Sequence, residues 1–274
     1  MDEFDMIDLG KMRYFLGIEV LQKEDGIFIS QRKYTHEVLE RFNMGQCNSV
    51  KNPIVPGFKL TKDEGGVQVD STLYKQIVGS LIYLTATRPD LIFVVSLISR
   101  YMEHPTESHL MAAKRIQRYV KGTTSFGMFY RKGGDAEFFG YTDSDYAGDQ
   151  DDRKSTSGYV FMMNSSAISW SSKKQPVVTL STIEAEFIDA ASSAYQVVWL
   201  RRILKSLTHV SSRPTMVYCD NISAIKLSKN LVMHGRSKHI DIHFHFLHDL
   251  VKDGVVELTQ YSTHEQVVDI MTKP

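Results

Sequence analysis

The sequence predicts an α/β protein: a mixed sheet flanked by helices, preceded by a mostly helical region that carries a small β-hairpin. Three observations predict it. From Ala136 onward, three strand-length apolar runs come first, and strands then alternate with helical periodicity. Upstream, Arg88-Pro89-Asp90 and His104-Pro105-Thr106 punctuate stretches of helical period. The elements of the second half repeatedly deliver a carboxylate at or near an end, at Asp143, Asp220 and the helix bearing Glu184 and Glu186.

In chain order, residues 13–20 and 26–30 read as two strands joined through Asp25-Gly26, a hairpin-type pair. A helix from about Gln31 to Phe42 places Tyr34, Val38, Leu39 and Phe42 on one face. Residues 45–69, interrupted by Pro53 and Pro56 and without a sustained period, are expected to be a long, exposed connection. Asp70-Ser71 caps a helix from Thr72 to about Thr85. Two more helices follow, to about Met102 and about Val120, and Gly133-Gly134 marks a boundary between residues 1–133 and 134–274. Strands are then predicted at 136–143, 157–163 and 166–172, the last two joined by Asn164-Ser165-Ser166. A helix from Ser181 to Leu207, a strand at 215–219, helices at 222–229 and 238–252, and a strand at 255–261 complete the sheet. A terminal helix opens at Thr263-His264-Glu265. Three meandering strands followed by alternation give a mixed sheet with helices packed on it.

The 42 % hydrophobic content over 274 residues supports a substantial core and argues against global disorder. Lys+Arg and Asp+Glu both number 32, so net charge says nothing about nucleic acid, but its distribution does. Residues 114–132 hold Lys114, Arg115, Arg118, Lys121, Arg131 and Lys132 with no acid, whereas residues 143–152 hold five Asp and no base. A basic face beside an acidic pocket suits a polyanion gripped by its backbone, although two solvated faces of opposite sign fit as well. Cys47 and Cys219 match no metal spacing and suit a reduced, intracellular compartment, cytoplasmic or nuclear. The first residues have no basic or apolar signal-peptide regions, and the most apolar window, Leu91 to Ile98, is too short to span a bilayer.

Asp143 closes the first strand of the second half and Asp220 closes the fourth; strand ends are where ligands gather in such sheets. The Ser181 helix can bring Glu186, and the terminal helix Asp269, to the same edge. Four carboxylates drawn together repel unless cations lie between them, and such a set can hold two Mg²⁺ ions. Each Asp taken singly reads as a cap or turn residue rather than a ligand; the set carries the metal reading. A calcium loop opening at Asp143 fails on spacing, with Ala147 at its fifth position and Lys154 at its twelfth. His239, His243, His245 and His248 fall on two helical faces without a completing Cys or Glu, so they read as a structural helix with a minor contact to phosphates as the alternative.

These residues also carry a resemblance. Tyr-Thr-Asp-Ser-Asp-Tyr-Ala-Gly-Asp at 141–149, Arg-Lys-Ser-Thr-Ser-Gly-Tyr at 153–159, Ser-Trp-Ser-Ser-Lys-Lys-Gln at 169–175 and Ser-Thr-Ile-Glu-Ala-Glu-Phe at 181–187 resemble the ribonuclease H domain of copia-class retrotransposon polyproteins. Tyr-Cys-Asp-Asn at 218–221, Lys-His-Ile-Asp-Ile at 238–242 and Val-Asp-Ile-Met-Thr-Lys-Pro at 268–274 continue the match in order. Upstream, residues 8–20 and 79–84 resemble the C-terminal part of the adjoining reverse transcriptase, its thumb and connection.

The resemblance implies a ribonuclease H-like fold in 134–274, an endonuclease that cuts the RNA strand of an RNA–DNA hybrid, and two divalent ions, Mg²⁺ or also Mn²⁺. It places the ligand set, catalytic and metal-binding alike, on Asp143, Glu186, Asp220 and Asp269, with Asp145, Glu184 and Asp241 as the alternatives if a register is off by one step. Lys173, Lys174, Arg201 and Arg202 are candidate phosphate contacts. Residues 1–133 would be the reverse-transcriptase C-terminal region without its palm; no Tyr-x-Asp-Asp occurs, so no DNA synthesis is expected from this chain alone. It reads as a polyprotein fragment, whose partners would be the hybrid and the rest of the polymerase, with no membrane. Two alternatives stand beside this reading. One is a non-catalytic remnant that binds nucleic acid or a polymerase partner. The other is a poorly folding chain that exposes Ile92, Phe93 and Val94.

Overall fold

The computed structural model describes residues 10–62, 64–133, 137–207, 213–229, 238–261 and 267–273, with 238–244 as backbone only. Its first sheet is antiparallel and runs β1 (Tyr14–Phe15), β2 (Ile18–Gln22), β3 (Gly26–Ser30), β4 (Gly127–Arg131). β4 corrects the expectation of a lone hairpin. It pairs along the whole of β3, with Ile27 opposite Tyr130 and Ile29 opposite Met128.

Four helices accompany this sheet: α1 (Arg32–Arg41), α2 (Ser71–Leu84), α3 (Ile92–Ser99) and α4 (Glu107–Gly122). Their starts follow from capping chemistry. The Asp70 carboxylate accepts from the Thr72 amide at 2.8 Å, and Thr106 with His109 forms a reciprocal capping box. A 3₁₀ turn at Pro89–Leu91 leads into α3, which stops at Ser99, shorter than predicted. Tyr74, Ile77, Leu81, Leu84, Ile98, Ile116 and Val120 form the helical core. Ile54 and Leu60 join it, so the 45–69 connection is anchored inside and not wholly exposed as expected.

The second sheet contains β5 (Phe138–Ser144), β6 (Thr156–Met163), β7 (Ser166–Lys174), β8 (Thr215–Cys219) and β9 (Val256–Gln260). Its order is β7-β6-β5-β8-β9; the first three are antiparallel neighbours, and β5–β8 and β8–β9 are parallel. This is the mixed sheet expected from the sequence, three meandering strands extended by two parallel ones. Asn164 turns between β6 and β7 with φ of 55°, a left-handed conformation that Asn tolerates.

One face is covered by α5 (Thr182–Leu207), packed with α6 (Ile222–Lys229) and α7 (Lys238–Lys252). Ala190, Ala191 and Ala194 of α5 are buried with Phe161 and Val217, their small side chains allowing close approach to the strands. On the other face, Val160, Val268 and Met271 form a small cluster with Ile92, Tyr141, Met162 and Trp170 packed on it. Val268 and Met271 belong to a 3₁₀ turn at Val267–Met271. The expected opening of a terminal helix at Thr263 lies outside the described residues, and the described remainder is this 3₁₀ turn and not an α-helix.

Ile92 carries the helical region onto the second sheet. Phe93 and Val94, only 7 % and 3 % exposed, complete the helical core, so the exposed apolar surface of a poorly folding chain is absent at these residues. The Trp170 Nε1–H donates to the Thr85 carbonyl at 3.1 Å, and Arg100 reaches Asp149 at 3.0 Å and Thr156 at 3.1 Å. Among the described residues no helix is long and apolar enough to cross a membrane.

Candidate metal centre

The site grows from the alternation of β5. Thr142 points to α5, where its hydroxyl donates to Asp189; Asp143 points to the opposite face, where it accepts from the Thr272 hydroxyl. Parallel pairing of Tyr141 with Tyr218 brings Asp220, just past β8, level with Asp143. Glu186, in the second turn of α5, reaches the same end of the sheet and accepts from the Ser144 amide at 3.2 Å. Its carboxylate, the Cys219 thiol and the Asp220 carboxylate each offer an atom within 4.8 Å of the others. Asp269 comes from the 3₁₀ turn, and Lys273 bridges it to Asp143, at 2.9 Å and 3.4 Å respectively. Asp143, Glu186, Asp220 and Asp269 are thus brought to one end of one sheet.

The electrostatics are those of crowded acids. Burial, then the charges of Asp189, Asp143 and Asp220, push the Glu186 carboxyl up to about 9. Asp220 is raised by burial and by Asp143, with Lys273 opposing. Asp189, fully buried, is held well above the carboxylate range by desolvation and accepts from the Thr142 hydroxyl. Burial and the Glu186 charge also raise the Cys219 thiol, whose Sγ lies 4.0 Å from Glu186; the remaining candidate ligands are carboxylates. Hard oxygen donors that repel one another in a partly dry pocket fit Mg²⁺ or Mn²⁺.

The neighbouring candidates have other partners. Glu184 accepts from the Leu180 amide at 2.7 Å, closing the start of α5. Asp145 accepts from the Thr156 amide at 2.5 Å. Asp241, His239 and His243 lie among residues described as backbone only; His245 is exposed and His248 faces the Ser228 carbonyl at 3.1 Å. Of the phosphate-contact candidates, Lys173 and Arg202 are exposed. Lys174 is already paired with Asp149 at 2.9 Å and Asp152 at 3.0 Å. Arg201 donates to the Arg213 carbonyl at 2.9 Å and to Thr215 at 3.0 Å. In the basic stretch, Lys114, Arg131 and Lys132 are exposed, while Arg118 donates to the Asn48 carbonyl.

Sequence reasoning missed four residues here. Asp189 lies three positions after Glu186, the spacing that shares a helical face, and that was its signal. Gln175 ties β7 to the start of α5, its amide donating to Ser144, Ser157 and the Ala185 carbonyl, with no local signal in the sequence. Thr272 and Lys273 stood within a quoted motif but without a role.

A family model described as reverse transcriptase (RNA-dependent DNA polymerase) matches residues 1–56. The retrovirus-related Pol polyprotein from transposon RE1 of Arabidopsis thaliana is 42 % identical over 271 residues, covering 99 % of this chain and 18 % of the relative. An uncharacterized mitochondrial protein of Arabidopsis thaliana is 36 % identical over 197 residues, covering 72 % of this chain and 81 % of that protein. Among solved structures, LC11-RNase H1, isolated from compost, overlaps 50 % of this chain and 94 % of its own at 10 % identity, with a TM-score of 0.39. The chain spans about a fifth of the length of the Pol polyproteins it matches. Identity sustained over nearly the whole chain settles its kinship: the chain belongs to the family of retrovirus-related Pol polyproteins of copia-type transposons.

Proposed function

We propose that the chain is a two-metal-ion endonuclease that hydrolyses the RNA strand of RNA–DNA hybrids. The observation that carries this reading is the convergence of Asp143, Glu186, Asp220 and Asp269, from four separate elements, at one end of the second sheet. In this reading residues 134–274 form the nuclease domain, and residues 1–133 are a reverse-transcriptase thumb and connection whose α3 supports it. The four carboxylates would hold two Mg²⁺ ions, with Mn²⁺ as a substitute. When bound, the ions would activate a water and stabilise the leaving 3′ oxygen of the phosphodiester.

The protein's own groups supply position. Ser144 fixes Glu186 through its amide, and Thr272 fixes Asp143 through its hydroxyl. The hybrid would be selected by shape, its RNA strand presenting 2′-hydroxyls to the cut site. The exposed charges of Lys173, Arg202, Lys114, Arg131 and Lys132 are available to phosphates. Lys174 and Arg201 would have to leave their present partners to join them.

The test is cleavage of a labelled RNA–DNA hybrid by the full chain, with and without Mg²⁺, beside Asp143→Asn. Metal-dependent loss of the RNA strand by the wild type alone is expected. Activity retained in Asp143→Asn sinks the site. A folded wild type that binds hybrid in Mg²⁺ and never cuts it replaces this reading with that of a non-catalytic remnant.

A further inference from the structure

The cluster already contains a cation. The Lys273 ammonium stands 2.9 Å from Asp269 Oδ1 and 3.4 Å from Asp143 Oδ2, and the neighbouring Thr272 hydroxyl donates to the same Asp143 oxygen. The Asp143 side chain is 2 % exposed, so its charge has almost no water to screen it. Lys273 is 49 % exposed and Asp269 39 %, so the stem of the lysine opens to solvent.

We propose that Lys273 is a built-in counterion: it holds the metal-free carboxylate cluster together, and divalent cations must displace it to bind. This rests on the metal-site reading above and adds to it a residue that opposes metal entry. An ammonium is a compact point charge on a flexible stem, suited to fill a cation position and to vacate it. One positive charge offsets only part of the charge of Asp143, Asp220 and Asp269, so a doubly charged ion is the stronger partner. The half-exposed stem gives the ammonium a way out to water without rearranging Val268 or Met271, which are buried. Lys273 is a positioning residue here, acting through Asp143 and Asp269.

The experiment is Mn²⁺ binding to the full chain, by calorimetry and by electron paramagnetic resonance, for wild type, Lys273→Met, Lys273→Gln, Lys273→Arg and Asp143→Asn. Two ion pairs that share one half-exposed lysine correspond to a competition of roughly three- to tenfold, so both neutral variants bind Mn²⁺ more tightly by that factor. Lys273→Arg, which keeps the charge, stays near wild type. Without metal, the neutral variants melt at a lower temperature than wild type and gain more on adding Mn²⁺. The stem being half-exposed, the two neutral side chains give independent folded comparisons. Equal or weaker Mn²⁺ binding by both, with wild type binding and Asp143→Asn not, overturns the role of Lys273 alone. No binding by wild type, or full binding by Asp143→Asn, overturns the metal-site reading and this proposal with it.

Discussion

Gly158 stands opposite Asp143 in the β5–β6 ladder, and the 3₁₀ segment crosses directly over it. A Cβ added there would lie 2.7 Å from Met271 Cβ, 2.8 Å from Thr272 Cγ2 and 3.3 Å from the Met271 carbonyl carbon. Carbon atoms rest at about 3.5–4.0 Å, so Gly158→Ala forces the segment back by roughly 1 Å. Full undocking would forfeit the burial of Val268 and Met271, at about 1.5–3 kcal/mol each. Retreat with strain costs about 1–3 kcal/mol and is the cheaper response. Alanine recovers about 0.5–1 kcal/mol over glycine in a strand, leaving a net loss of about 1–2 kcal/mol. The retreat carries Asp269, Thr272 and Lys273 away from Asp143 together. Mn²⁺ affinity is then expected to fall on the order of tenfold, the typical effect of disturbing groups that orient metal ligands. Urea denaturation and Mn²⁺ titration of the same samples measure both. Wild-type stability together with wild-type affinity would refute the claim that this segment rests on Gly158.

Asp149 tests the interface between the two halves. Burial works against its ionisation, but hydrogen bonds from Lys174 and from the Asp152 and Asp151 amides win and hold its carboxyl at about 2. Its folded value is depressed, so its stabilising contribution is present above the unfolded value of about 3.9 and is lost as pH falls toward 2. Asp149→Asn should lose about 1–2 kcal/mol near neutral pH, allowing for screening of its partners. The gap to wild type, followed by chemical denaturation, should close between about pH 4 and pH 2; a constant gap would assign the loss to packing. Trp170→Phe removes the 3.1 Å bond to the Thr85 carbonyl while keeping most of the apolar contact, and should cost about 1 kcal/mol in the same assay. No loss would mean that this hydrogen bond contributes nothing to holding the two halves together.

Elements whose signals are local were legible in the sequence. Asp70 before Thr72, Pro105-Thr106 before α4, and the apolar alternation of β5 to β7 each state their structure within a few residues. β4 escaped because its partner, β3, lies about a hundred residues earlier, and nothing near Gly127 names that partner. The terminal segment was misjudged for a related reason: five residues cannot sustain an α-helix alone, and this turn is held by Val160, Gly158 and Ile92 of other elements. The carboxylates could be listed from strand ends and helix starts. The spacing of Asp189 from Glu186 put it on the same helical face, but its partner Thr142, like the partner Asp143 of Lys273, lies across the fold where no local signal reaches.

The contact between Thr272 and Asp143 spans 129 positions of the chain. Trp170 with Thr85 spans 85 and Lys62 with Asp151 spans 89. Such closures are slow, because chain entropy is spent before the contact returns anything. On a ribosome adding about 5–20 residues per second, β5 emerges well before the turn that carries Asp269. Until that turn arrives, Asp143 has neither Thr272 nor Lys273 beside it, and the carboxylate cluster is incomplete. Completion of the site therefore waits for that turn after β5 has emerged, so a nascent chain that has not yet made the turn would meet nucleic acid before it could complete the centre proposed to cut it.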